Sequence, residues 1–355
     1  MPLADKLAGL RTHLAAAEVS ALVLTDEHSV FFATGFRSTN AWLVVSTDTA
    51  LLLTDGRYLQ AAEAHFAGSE VAVQPQPRAP EMTGFWQSHD ISRLGVSYSR
   101  ITARQLQQWQ GTFGIELRDI SAEEDTWRSC KSAADVEQIA LVAELAELAL
   151  EKALPSLQPG TSERAFAWEL EKHGRELGAE GVAFPPIVAF GEHSAAPHHH
   201  VTDRILHADE PVLIDWGFVR NGFCSDCTRC FFVGEATDQW LQTYHRVLAA
   251  QAAGISAMVP GASLGAPHQA AIDSLGEPML HSFGHGVGVE VHEYPGVSLR
   301  EEGTIAEQMV LTAEPGLYLP GEFGIRIEDL LVVSHEGVHT LSQWPRGVED
   351  AILQN

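Results

Sequence analysis

Five side chains able to ligate a metal follow one another through the C-terminal part of the chain: Asp215, Asp226, His285, Glu314 and Glu328. Each lies in a short apolar or glycine-rich segment that reads as a strand or a strand end, namely LIDWG, FCSDCTR, FGHGVG, LTAEPG and GIRIED. Carboxylates are rarely buried without a partner or a cation. Four acids and an imidazole in such surroundings need positive charge, and divalent metal supplies it most simply. Two such ions about 3.5–4 Å apart can share bridging carboxylates and a bridging hydroxide. The oxygen-rich set suits manganese, cobalt, zinc or iron better than a soft-metal site. A structural zinc site would be four-coordinate, with Cys and His dominant. The pattern therefore points to a catalytic metallohydrolase. Taken singly, the residues have ordinary readings too: Asp215 as a turn aspartate, Glu314 and Glu328 as salt-bridged strand acids.

Cys224, Cys227 and Cys230 form CxxCxxC, a spacing that invites a zinc or iron–sulfur reading. On a strand, alternate residues share a face. Cys224, Asp226, Thr228 and Cys230 would then point one way and Cys227 the other. The three thiols could not converge, so buried, reduced cysteines in a cytosolic protein are expected. A net charge of −25 argues against nucleic acid and anionic membrane as partners, which need a basic footprint. Bound metal would offset part of that excess. No run of eighteen apolar residues suggests a membrane span. The opening MPLADKLAGLRTHLAAAEVS reads as an amphipathic helix rather than a signal peptide, so a cytoplasmic location is expected.

The elements that must position these residues fall into two domains, expected at 1–128 and 129–355. The first reads as α/β. An opening helix precedes a strand at 21–25, two strands flank the polar turn 46–49, and a helix at 60–66 leads to a strand at 70–73. In the second, Ser132 and Asp135 resemble a capping box opening a helix at 133–154, which Pro155 ends. This domain contains itself twice. Helix 133–154, then PGTS and a further helix, matches helix 238–258, then PGAS and a further helix. Each pair is followed by a histidine (His198; His292), an acid on an apolar strand (Asp215; Glu314) and a second acid (Asp226; Glu328). Antiparallel strands related in this way would bring the acid pairs together.

The segments IVAFGEHSAAPHHH, VLIDWGFVRNGFCSDCTRCFFVG, HSFGHGVGVEVHEYPG, LTAEPGLYLPG and GIRIEDLLVV resemble the pita-bread metallopeptidases, which include methionine aminopeptidase, aminopeptidase P and prolidase. The first domain is similar to the creatinase-type N-terminal domain, through HSVFFATGFRSTNAWLVVS and LLLTDGRYLQAA. Methionine aminopeptidases lack that domain, which narrows the resemblance to proline-directed enzymes. The resemblance implies an α+β pita-bread catalytic domain with an internal pseudo-twofold, preceded by the smaller α/β domain. It implies two divalent ions per subunit, manganese first and zinc or cobalt as alternatives. Asp215 would hold one ion, His285 and Glu314 the other, and Asp226 and Glu328 both. Hydroxide held on the ions would attack the peptide bond before proline, Glu314 would shuttle the proton, and His198 and His292 would contact substrate and the tetrahedral intermediate.

Arg326 lies two residues before Glu328 and would share its strand face. Its guanidinium would either hold a ligand carboxylate or bind a substrate carboxylate. His199 and His200 are expected to point away from the site, since one of three successive extended residues faces it well. His193 could line a substrate pocket, and His281 reads as a strand or turn residue. The leading expectation is an Xaa-Pro dipeptidase, with aminopeptidase P, acting on longer peptides, as the alternative. Metal-free creatinase chemistry and a non-catalytic binder on the same fold both sit badly with a complete ligand set. The family also implies a homodimer, to which segments near Ser38-Thr39-Asn40 and Arg57-Tyr58 could contribute.

Overall fold

The computed structural model describes residues 2–354. The chain forms two compact units that meet in sequence between Arg128 and Ser129. The first unit is built on a six-stranded sheet of order β4-β3-β2-β1-β5-β6. Its strands are β1 (Ala21–Leu24), β2 (Ala41–Ser46), β3 (Ala50–Thr54), β4 (Val71–Pro75), β5 (Arg93–Val96) and β6 (Glu116–Asp119). Its helices are α1 (Leu3–Ala16), α2 (Glu27–Thr34), α3 (Leu59–His65), α4 (Met82–Ser88), α5 (Ala103–Thr112) and α6 (Ser121–Ser129). The central strands are apolar at nearly every position because both sheet faces are covered. Leu22, Leu24, Leu43 and Leu52 pack with Leu7, Leu10 and Leu14 of α1. Ala21, Val23, Val44 and Leu53 pack with Trp86 and Trp109 on the other side.

The second unit repeats one order of elements. The first half runs α7 (Ala133–Ala153), α8 (Glu163–Glu176), β7 (Gly181–Val182), β8 (Ile187–Phe190), β9 (Glu210–Trp216), β10 (Phe218–Arg220), β11 (Phe223–Cys224) and β12 (Cys227–Val233). The second half runs α9 (Asp238–Ala257), α10 (Ala266–Leu275), β13 (Gly284–Gly286), β14 (Glu293–Val297), β15 (Val310–Ala313), β16 (Gly316–Leu319), β17 (Phe323–Arg326), β18 (Asp329–Ser334) and β19 (Gly337–Thr340), and β20 (Ile352–Leu353) follows. In each half a strand pairs antiparallel with a longer neighbour (β8 with β9, β13 with β15). A short hairpin follows (β10–β11; β16–β17), and the chain then returns antiparallel (β12 on β9, β18 on β15).

Helix α7 starts where expected: Ser132 Oγ accepts from the Asp135 amide at 3.2 Å, and the Asp135 carboxylate accepts from the Ser132 amide at 3.1 Å. With α8 it buries Val142, Leu145, Leu150, Phe166 and Leu170 against Val188, Phe190, Val212 and Ile214. The alternate residues Ala189, Leu213 and Phe232 face the cluster built on Tyr244, Val247 and Ala250 of α9 and Ala271 of α10. Period-2 burial thus places the four-stranded sheet between the two helix pairs. A bridge from Thr228 to Glu328 stitches the halves at the site, where the Glu328 amide donates to the Thr228 carbonyl at 3.1 Å.

Candidate metal centre

Asp215 is the penultimate residue of β9, His285 the centre of β13, and Glu314 directly follows β15. Asp226 lies in the gap between β11 and β12, and Glu328 in the matching gap between β17 and β18. These breaks free each side chain from the pleat and turn it toward the seam. The glycines around His285 allow its strand to be crowded from both sides. A Cβ at Gly284 would lie 2.1 Å from the Thr312 carbonyl oxygen, and one at Gly286 2.6 Å from that of Tyr294.

The five ligand groups converge. Ligand atoms of Asp215, Asp226 and Glu328 lie within 4.8 Å of one another, as do those of His285, Glu314 and Glu328 and those of Asp226, His285 and His292. Asp226, Glu328 and His285 therefore each belong to two of the three groups. His285 Nδ1 lies 3.1 Å from the Gly286 carbonyl, which can only accept, so Nδ1 carries the hydrogen. Burial lowers the pKa of His285 and keeps the ring neutral. Its bare Nε2 then faces Asp226 Oδ2 at 3.5 Å and Glu314 Oε1 at 3.4 Å. A lone pair directed at two carboxylate oxygens is repulsive unless a cation lies between them.

The acids carry the same message. Burial, then the neighbouring Glu328 and Asp215, push the Asp226 carboxyl well above its ordinary range. Burial, then Glu314 and Asp215, do the same to Glu328. Asp215 Oδ2 accepts from Arg326 Nη2 at 2.6 Å, while its buried Oδ1 has no hydrogen-bond partner. An orphaned buried oxygen, mutually repelling acids and a bare imidazole nitrogen all fit hard or borderline divalent cations. The cluster opens into a cavity of about 430 Å³, with Phe184, Pro185 and Ile187 along its apolar wall.

A model of metallopeptidase family M24 matches residues 137–335, and one of the creatinase/prolidase N-terminal domain matches residues 6–130. The chain belongs to metallopeptidase family M24. Among solved structures, the chain resembles an Xaa-Pro dipeptidase from Bacillus anthracis, with 30% identity and a TM-score of 0.92, over 99% of this chain and 100% of that one. It also resembles an X-Pro aminopeptidase from Thermotoga maritima MSB8, with 29% identity and a TM-score of 0.87, over 97% of this chain and 100% of that one. Peptidase YqhT of Bacillus subtilis is 32% identical over 348 residues, covering 96% of this chain and 98% of its own.

The structure brings the expected residues to one cavity: the five candidate ligands, the exposed His198 and His292, and Arg326. The His292 ring, open to the cavity on one side, lies 4.2 Å from that of His285, and the burial of its inner side pulls its pKa to about 4. Two expectations about the neighbouring histidines need correction. His199 and His200 line the cavity beside His198, because the segment leaves β8 as a turn of 3₁₀ helix and loop rather than a strand. His193 does not line the cavity: its Nδ1 points to Glu163 at 2.8 Å. His281 sits at a bend, in keeping with its reading as a strand or turn residue, and it also lines the cavity, bonding Tyr318 Oη at 2.9 Å with Nδ1 4.0 Å from Glu314.

Arg326 ends β17 and the strand stops before Glu328, yet both side chains reach Thr228 Oγ1 and line the cavity. The guanidinium reaches Asp215, Thr228 Oγ1 (3.0 Å), Tyr318 Oη (2.8 Å) and the Pro197 carbonyl (3.2 Å). Thr228 Oγ1 in turn donates to Glu328 Oε2 at 2.7 Å. Behind the acids lies a polar layer that spacing does not reveal. The buried Arg229 binds Asp329 at 2.7 Å as well as the Glu328 carbonyl. Gln251 of α9 donates to the carbonyls of Ala313 (3.0 Å) and Ile327 (3.1 Å), the residues preceding Glu314 and Glu328. These bonds fix the backbone from which two ligands project.

Proposed function

We propose that this M24 peptidase is an Xaa-Pro dipeptidase that hydrolyses the peptide bond before proline at a dinuclear centre. The observation that carries this reading is that, of the three residues shared between ligand groups, Asp226 and Glu328 each offer two carboxylate oxygens while His285 has one free nitrogen, which supports the two acids bridging two cations. Asp215 would complete one ion's set, and His285 with Glu314 the other's. Bound there, the ions, manganese or alternatively zinc or cobalt, would polarise the scissile carbonyl and lower the pKa of water.

The chain's own groups supply the rest. Glu314, held 3.4 Å from His285 and beside Thr312, would take and return the proton at its carboxylate. His198 and His292, exposed on the cavity, would donate to the charge that develops on the carbonyl oxygen. Arg326 would hold Asp215 in place, since its guanidinium is already engaged by four protein acceptors. The apolar wall of Phe184, Pro185 and Ile187 is suited to a proline ring or an apolar partner residue.

The dipeptidase reading is supported by the likeness to the Bacillus anthracis structure over nearly the whole of both chains. The likeness to the Thermotoga maritima X-Pro aminopeptidase keeps a second reading, aminopeptidase P activity on longer peptides, in view. Steady-state kinetics on Leu-Pro against Leu-Pro-Pro and longer peptides, with manganese supplied, separates the two. Turnover of Leu-Pro is expected; turnover of the longer peptides alone would assign the chain to the second activity.

A further inference from the structure

Glu163 is the first helical residue of α8, a place where an acid ordinarily faces solvent and the helix dipole. Here its side chain is fully buried. Its carboxylate accepts five hydrogen bonds, all from the segment 190–202. Oε1 takes the Phe190 amide (3.1 Å) and His193 Nδ1 (2.8 Å). Oε2 takes His199 Nε2 (2.9 Å), the Thr202 amide (2.9 Å) and Thr202 Oγ1 (2.7 Å). The two imidazoles lie against each other with ring centres 4.5 Å apart. Burial alone would raise the carboxyl's pKa, but the bonds from Thr202, His199, Phe190 and His193 outweigh it and bring it to about 2.

Glu163, His193 and His199 also lie close enough together to suggest a second metal site. The donor count argues otherwise. A carboxylate offers roughly four lone-pair positions, and five donors already fill them. Both histidines face it with ring nitrogens that must carry hydrogen to bond an ionised acid. What the carboxylate does instead is tie the start, middle and end of one segment to a single rigid helix end. His198 lies inside that segment, next to His199. On its other flank, the Pro197 carbonyl is held by Arg326 Nη1 at 3.2 Å. The histidine is thus suspended between two anchored neighbours, one tied to Glu163 and the other to the Arg326 that binds Asp215.

We propose that Glu163 is the positioning residue for His198, clasping the segment 190–202 so that this imidazole is presented to the cavity in one orientation. The proposal rests on the role given to His198 above. Glu163→Gln tests it, because the amide keeps the size but offers one acceptor oxygen and turns a donor toward groups that themselves donate.

The first readout needs no variant. In the wild-type protein with ¹⁵N-labelled histidine, assigned with H193A and H199A, nuclear magnetic resonance should show hydrogen on Nδ1 of His193 and on Nε2 of His199. The opposite tautomer at either ring overturns the clasp. The second is kinetic: E163Q should lower kcat about tenfold, as expected for a misplaced catalytic group, and leave KM within about twofold. In an H198A background the same change should cost less than about twofold. An equal loss in both backgrounds overturns the proposal, as would a metal ion retained by the wild type beyond the dinuclear pair and lost in E163Q. If H198A is impaired and E163Q is not, the proposal alone falls. If H198A keeps wild-type turnover, the role given to His198 is at fault and the proposal falls with it.

Discussion

His285 illustrates how one hydrogen bond sets the charge state of a site. Its Nδ1–H is committed to the Gly286 carbonyl, so the ring cannot relieve the acids by taking a second proton without becoming a buried cation. The acids respond instead, and Asp226 and Glu328 hold protons above their ordinary range when no metal is present. Metal must displace those protons, so calorimetric titration of the stripped protein with manganese in buffers of different ionisation enthalpy should show net proton release. An observed proton count of zero near neutral pH would contradict the arrangement. The sign for stability follows. Folded-state values above the unfolded ones stabilise the stripped protein at low pH, and that contribution is lost as pH rises through them. The melting-temperature gain from manganese should therefore grow with pH. Asp226→Ala and Glu328→Ala should each cut turnover by more than about a hundredfold while circular dichroism shows a folded chain. Retained activity in either would remove the dinuclear mechanism. Residues like these were legible because several chemically matched segments recur in order. Glu163, Thr228 and Gln251 were not: an acid after Thr-Ser looks like any helix start, and a lone Thr or Gln has no spacing to betray it.

At the scale of elements, the informative feature is the pair of gaps, between β11 and β12 and between β17 and β18. Hydrophobic alternation through FCSDCTRCFF and FGIRIEDLLVV reads as unbroken strand, and the breaks leave no mark because the flanking residues stay apolar. The helix pairs and the apolar strands were readable, since their periodicity reports burial directly. The fold of segment 191–200 was not, since its three consecutive histidines carry no periodicity. The cysteines show both outcomes. Cys224, Cys227 and Cys230 are free and bond separate carbonyls, those of Val289, Glu328 and Arg326. Burial pushes the Cys224 and Cys230 thiols up to about 12 and that of Cys227 well up. Cys130 is exposed. A thiol reagent should thus titrate one cysteine promptly in the native protein and all four after denaturation. Rapid native reaction of three or more would show that the strands carrying them are not packed as described.

For the molecule as a whole, the two units answer to different chemistry. In the first, Glu124 is buried beside Ser29, Arg128 and Asp26, and burial with the Asp26 charge raises its carboxyl to about 7, against 4.5 in its ordinary state. Its contribution to stability is complete below the lower value and disappears as pH rises through the upper one. Urea unfolding of the chain between about pH 5 and pH 7 should show this decline, and Glu124→Gln should flatten it; an unchanged slope in the variant would assign the titration elsewhere. No described helix is long and apolar enough to cross a membrane. The expected homodimer is a matter for light scattering. In the segments expected to contribute, Thr39 Oγ1 bonds Tyr58 Oη at 2.9 Å and Asn40 bonds Asp55 at 2.6 Å, which orders that surface from within. In the second unit, the stitch from Thr228 to Glu328 joins residues one hundred positions apart. During synthesis the first half leaves the ribosome with only two of its acids in hand, and nothing for them to share a cation with. The complete set of five side chains exists only once the seam between the halves has closed, so the candidate metal site is a product of the tertiary fold and not of either half alone.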